Sequence, residues 1–155
     1  MRKLLFILTC TISAYTSAQS LDPALIASNF VKATDTETQK LIDDAKPAIV
    51  QMVDKVACGA QKNQIQKFTA PTSASGLFAT PFVKMFKHDI RAKNGCLIPY
   101  RIHGWERETK GFGASKIYTG NFSFQVEYES LQTGDTAVRR YRAIKQPDGI
   151  WLFGW

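Results

Sequence analysis

Tyr118-Thr119-Gly120-Asn121-Phe122-Ser123-Phe124-Gln125-Val126-Glu127-Tyr128-Glu129 alternates residue by residue between a largely apolar set and a polar set. A period of two marks a strand with one buried face. Thr133-Gly134-Asp135 turns this run into a second strand, Ala137 to Lys145, and Pro147-Asp148-Gly149 turns the second into a third, Ile150 to Trp155. Proline presets the first turn angle and glycine tolerates positive φ, so both connections read as tight turns. The stretch from Lys116 to Glu129 would span roughly 45 Å at about 3.3 Å per residue, long for a strand, and Gly120 is the expected bend.

Upstream of this meander, Ile98 to Glu108 reads as the first long strand. Ile98, Tyr100 and Ile102 fall on one face, and Arg101, His103, Trp105 and Arg107 on the other, with Gly111-Phe112-Gly113 as the connection. Helical signals occupy the preceding chain. Asp22-Pro23 is a cap followed by a first-turn proline, with Leu25, Ile26, Phe30 and Val31 on one side. Thr34 and Glu37 have capping-box spacing, and Leu41, Ile42, Ala45, Ile49, Met52, Val53 and Val56 then recur as one apolar stripe that ends near Gly59. Pro47 lies inside it and predicts a kink or a break. Asn63 to Thr69 reads as a short strand or as a loop that fastens Ile65 and Phe68 onto the core. Thr80-Pro81 opens a third helix with Phe82, Val83, Phe86 and Ile90 inward, stopping near Asn94-Gly95. The fold class expected is α+β: N-terminal helices packed on a curved four-stranded antiparallel sheet.

Arg2-Lys3, the apolar Leu4 to Leu8 and the small residues up to Ala18 have the three-part order of a secretory leader, so residues 1–18 are expected to be removed and 19–155 to form one domain. The apolar run is short of the roughly 20 residues that span a bilayer. Leu8-Thr9 before Cys10, with apolar sequence continuing past it, argues against a lipid anchor. Loss of Arg2 and Lys3 lowers the formal net charge from +7 to +5, a moderate excess suited to anionic surfaces. An oxidising compartment, periplasmic or secreted, makes one disulfide between Cys58 and Cys96 the simplest reading. The brevity of the leader suits a bacterium.

Helix, long helix, doubtful segment, helix and four antiparallel strands, closing on Tyr141-Arg142-Ala143-Ile144-Lys145-Gln146-Pro147-Asp148-Gly149-Ile150-Trp151, resembles the NTF2-like (cystatin-like α+β) superfamily. Members often end in two strands joined by an Asp-Gly turn followed by Trp. The resemblance implies a sheet wrapped around helices into a cone, either packed shut or holding a ligand. It transfers no catalytic residue, because the Asp or His used by enzymes of that superfamily has no matching position here.

The candidate chemistry is sparse. His88 falls off the apolar stripe of its helix, whereas His103 shares a strand face with Arg101 and Trp105. Two histidines and two paired cysteines leave no metal-ligand set, and no cofactor motif appears. Arg139, Arg140 and Arg142 form the densest basic cluster. Arg139 shares a face with Tyr141, and Arg140 and Arg142 share the other, where Glu127 and Glu129 are the expected cross-strand partners. The last strand has aromatic or aliphatic groups on both faces, so one is expected to pack on the helices and the other to be covered by the chain itself, a partner or a second copy through the sheet. Nucleic acid is disfavoured by export, modest charge and the absence of a recognition motif.

Two functions follow as expectations. The first is a non-enzymatic interaction module of the bacterial envelope, of inhibitor or immunity type, contacting a protein or an anionic envelope component through Arg101, His103, Trp105, Arg139, Tyr141, Trp151 and Trp155. The second is a small-ligand binder or hydrolase/isomerase with His103, Tyr100 or Tyr141 inside a cone-shaped cavity.

Overall fold

The carboxylate of Asp22 accepts a hydrogen bond from the backbone N–H of Ala24, and Pro23 follows it, so α1 begins where the cap-proline pair places it and runs Pro23–Ser28. The long helix α2, Thr36–Ala57, starts one residue later than the Thr34–Glu37 spacing suggests. Asp35 is the cap: its carboxylate accepts from Thr38 N at 2.8 Å, and a charged acceptor at the positive end of a helix outcompetes a threonine hydroxyl. That backbone bond holds the Asp35 carboxyl below its usual range. In this computed structural model the described residues are 20–59, 62–70, 96–130, 134 and 136–154. The expected leader, the helix expected from Thr80 with His88 on it, and Trp155 lie outside them.

Pro47 neither breaks nor ends α2. It sits on the exposed side of the helix, where water can serve the carbonyl freed by its missing N–H. Ile42, Ala45, Ile49, Met52 and Val53 form the opposite, fully buried side. Two details depart from the sequence reading. Leu25 and Val31 are exposed rather than inward, because α1 stops at Ser28 and the chain runs on extended through Phe30 and Val31. Residues 63–69 form neither strand nor simple loop: α3, Lys62–Gln66, is a short helix, with Ile65 buried and Phe68 packed against the core.

The four strands are β1 (Leu97–Lys110), β2 (Ile117–Ser130), β3 (Thr136–Lys145) and β4 (Trp151–Gly154), all antiparallel in the order β1-β2-β3-β4. The protein is thus an α+β structure with helices against an open four-stranded sheet. Phe122, Phe124, Val126 and Tyr128 of β2 point to the helices and are fully buried, as the alternation predicts. Ile150, expected to open the last strand, instead belongs to the turn and is exposed.

The face assignment of β1 needs correction. Pairing with β2 slips at three places, between Pro99 and Arg101, between His103 and Glu106, and between Arg107 and Thr109. At the first, Tyr100 and Arg101 both turn outward opposite Glu127, so Tyr100 leaves the face it shares with Ile102 in an ideal strand. At the second, Gly104 takes φ +70°, a region costly for other residues, and the alternation is reset. Trp105 therefore turns inward and Glu106 outward. Gly120 lies at the third, on β2.

Backbone from the helical part closes both edges of the sheet. Ile102 of β1 donates to Asn29 O at 2.9 Å and accepts from Val31 N at 2.8 Å. Phe153 of β4 donates to Phe68 O at 2.6 Å and accepts from Ala70 N at 3.0 Å. Each edge strand thus has its unpaired groups engaged at mid-length, which blunts edge-to-edge association.

Cys58, at the C-cap of α2, is bonded to Cys96, immediately before β1, across 38 positions of sequence. The bond ties the end of the long helix to the start of the sheet. Replacing both cysteines by serine is expected to lower unfolding free energy by about 2–4 kcal/mol. Urea denaturation of the oxidised chain and the variant checks this; equal midpoints would show the link to be dispensable.

Candidate functional site

The two faces of the sheet differ in character. On the inner face Trp105 stacks on Phe30 at 5.8 Å and on Phe124 at 5.6 Å between ring centroids, and Phe124 in turn meets Tyr141 at 5.5 Å and Phe153 at 6.3 Å. Trp151 packs edge-on against Phe122 at 5.4 Å. Both indoles have their N–H satisfied: Trp105 donates to Val31 O at 2.7 Å and Trp151 to Asp44 at 3.1 Å. The Tyr128 and Tyr141 hydroxyls lie 3.0 Å apart within this layer, and burial raises both phenols well above the ordinary tyrosine range. Arg139 is on the same face, between Ala137 and Tyr141 in β3.

The outer face is polar and paired. Glu127 is its densest junction. Tyr100 donates to its Oε2 at 2.7 Å, Arg101 Nη1 lies 3.4 Å from Oε1, and His103 Nε2 lies 2.6 Å from the same oxygen. The Tyr100 hydrogen bond, and then His103, hold Glu127 below the usual carboxylate range against the opposing effect of burial. The same hydrogen bond raises the Tyr100 phenol.

Further along, Arg140 reaches across β2 to Glu106 and also donates to Ser123 Oγ at 3.0 Å. Arg142 grips Glu108 with two nitrogens, one contact at 2.7 Å, and this carboxylate raises the guanidinium pKa. The expected partners Glu127 and Glu129 are not used, because the register sets Gln125 opposite Arg140 and Ser123 opposite Arg142. Glu106 and Glu108 become available only through the slip at Gly104. These two pairs line an open hollow of about 410 Å³. Val138, on the same face of β3, is 53% exposed.

The residues singled out from the sequence therefore separate. Arg101 and His103 lie together on the outer face. Trp105, Arg139, Tyr141 and Trp151 lie together on the inner one, with Tyr141 and Trp151 buried, and Trp155 falls outside the described residues. The sequence reading passed over Glu106, Glu108 and Glu127 as site residues; the polar half of the Phe122–Tyr128 alternation was the signal that could have drawn attention to Glu127. Among the described residues no three His, Cys, Asp or Glu side chains converge as a metal site needs. No helix among them is long and apolar enough to cross a membrane. No protein-family model, curated protein or solved structure matches this chain.

The Glu127 junction predicts a two-sided pH dependence. Because the folded pKa of Glu127 lies below its unfolded value, its contribution is complete above the carboxylate range and is lost as pH falls through about 5 to 3. The raised Tyr100 pKa has the opposite sense: its contribution is complete below the ordinary phenol range and is lost as pH rises past about 10. Melting temperature followed against pH should show Glu127→Gln removing part of the acid slope and Tyr100→Phe removing part of both slopes. Variants that parallel the parent chain at both ends would contradict the coupling.

Proposed function

We propose that this chain is an exported interaction module of the bacterial envelope, built as an NTF2-like domain, whose outer sheet face docks a protein partner. The observation that carries the reading is the contrast between the two faces. Among the described residues the inner face is filled by interlocked rings, whereas the outer face presents Arg140 and Arg142 beside an open hollow. The α+β order of helices before a four-stranded meander supports the architectural part. The Cys58–Cys96 bond supports export, since such bonds persist in oxidising compartments.

The surface fits a partner with its own carboxylates and amides. Arginine presents five N–H donors in a fixed fork, so Arg140 and Arg142 can each serve an internal glutamate and still donate outward. Val138 supplies the apolar contact that such an interface needs at its centre. The competing reading, a ligand held between sheet and helices, draws on the Tyr128–Tyr141 hydroxyl pair. The rings around that pair leave it the weaker of the two.

A photoreactive residue placed at Val138 in the producing cells, with the same residue at exposed Lys40 on α2 as control, tests the docking face. The expected result is a discrete adduct from position 138, reduced about tenfold or more by Arg140→Ala with Arg142→Ala. Ion pairs near the surface contribute only about 0–1 kcal/mol each, so the double variant should remain folded, losing no more than about 2 kcal/mol. Equal labelling from positions 138 and 40 would refute the proposal.

A further inference from the structure

The β1–β2 hairpin runs past the rest of the sheet. Pairing of β2 with β3 begins at Phe122, whereas pairing with β1 continues out to Lys110 opposite Ile117. Lys145 N of β3 still donates to Asn121 Oδ1 at 3.1 Å, so residues 117–120 form the arm, which projects about 13 Å at the rise of an extended chain. Its tip, Lys110-Gly111-Phe112-Gly113-Ala114-Ser115-Lys116-Ile117-Tyr118, is apolar and basic. Phe112 is 93% exposed, Ile117 65% and Tyr118 59%. No acidic residue occurs between Glu108 and Glu127, and among the described residues neither Lys110 nor Lys116 makes an ion pair.

The tip is held in one shape. The Phe112 carbonyl accepts from Ser115 N at 3.1 Å and from Ser115 Oγ at 2.7 Å, closing the 3₁₀ turn Gly113–Ser115. Gly111 has φ +104°, and a Cβ there would sit 2.6 Å from the Ser115 carbonyl oxygen, so only glycine allows this closure. Behind the tip the Arg107 guanidinium lies 3.6 Å over the Tyr118 ring. A nearly naked phenylalanine on a closed turn is costly in water and contributes nothing to the core. A turn closed by its own hydrogen bonds, with the ring itself left in water, suits a wedge that is buried only on docking.

We infer that this hairpin tip docks onto an anionic phospholipid surface, with Phe112 entering the headgroup boundary and Lys110 and Lys116 flanking it at the phosphate level. Charge complementarity selects this occupant: two unpaired lysines on either side of one inserted aromatic match a negatively charged bilayer surface. The arm length keeps the outer sheet face clear of that surface, so the inference is independent of the protein-docking proposal.

Flotation of the mature, oxidised chain with phosphatidylcholine vesicles, with and without phosphatidylglycerol, tests it. Binding is expected only with phosphatidylglycerol, weakening as salt is raised. Lys110→Gln with Lys116→Gln should lower affinity about thirtyfold, and Phe112→Ser at least about tenfold. Removing the same charge elsewhere, by Lys32→Gln with Lys67→Gln, should change it by about twofold or less. A Phe112→Trp variant should gain emission that brominated phosphatidylcholine, mixed into the phosphatidylglycerol vesicles, quenches. Absence of vesicle binding, equal losses in the two lysine pairs, or unquenched Trp emission would each overturn the inference. A dimer in light scattering that Phe112→Ser dissolves would overturn it in favour of a second copy of the chain.

Discussion

The slip in pairing at Gly104 decides which residues this protein buries and which it displays. In an unbroken strand Trp105 and Arg107 would follow Arg101 and His103 onto the outer face. With Gly104 at φ +70° the alternation is reset, and Trp105 instead packs, half-buried, on the margin of the core against Phe30 and Phe124. The same reset turns Glu106 and Glu108 outward, where Arg140 and Arg142 reach them. One residue without a Cβ thus supplies the ring that closes the inner face and the two carboxylates that order the outer one.

The helices hold this sheet at a few defined points. Asp44 on α2 accepts from the Trp151 indole and from Lys145 at 2.7 Å, which fixes the β3–β4 hairpin to the long helix and holds the Asp44 carboxyl below its usual range. Asp54, nearly buried on the same helix, accepts from Leu21 N at 2.7 Å and contacts Lys55 at 2.9 Å, so the chain entering α1 is tied to the far end of α2. Together with the backbone bridges at Ile102 and Phe153 and the Cys58–Cys96 bond, these contacts fasten the helices to the inner face and the edges of the sheet. Among the described residues the β1–β2 arm and Arg101, Val138, Arg140 and Arg142 of the outer face are exposed.

Much of the fold is legible in the sequence because its signals are local. The Phe122–Tyr128 alternation, the Asp22-Pro23 cap, the α2 stripe and the Pro147-Asp148-Gly149 turn each depend on residues close in the chain. What sequence periodicity misses is the set of places where a strand changes phase. Gly104 is visible as a glycine, but nothing in its neighbourhood announces that it resets the faces, and Tyr100 lies in a bulge with no glycine at all. The site suffers most from this. Arg101 and His103 do share a face, yet Glu127 is recognised as their neighbour only when the bulge sets Tyr100 and Arg101 together against it. Likewise the arginines of β3 find glutamates on β1 rather than β2, a choice made by register across three strands.

Closure of the inner face by aromatic rings, leaving the outer surface as the working part, is the claim on which the rest depends. Native mass spectrometry of the mature protein, purified from its own compartment without refolding, tests it most directly. The account predicts the mass of the polypeptide less the two hydrogens of one disulfide, with no small molecule retained. A retained small mass that leaves only on unfolding would contradict it and return the function to the space between sheet and helices.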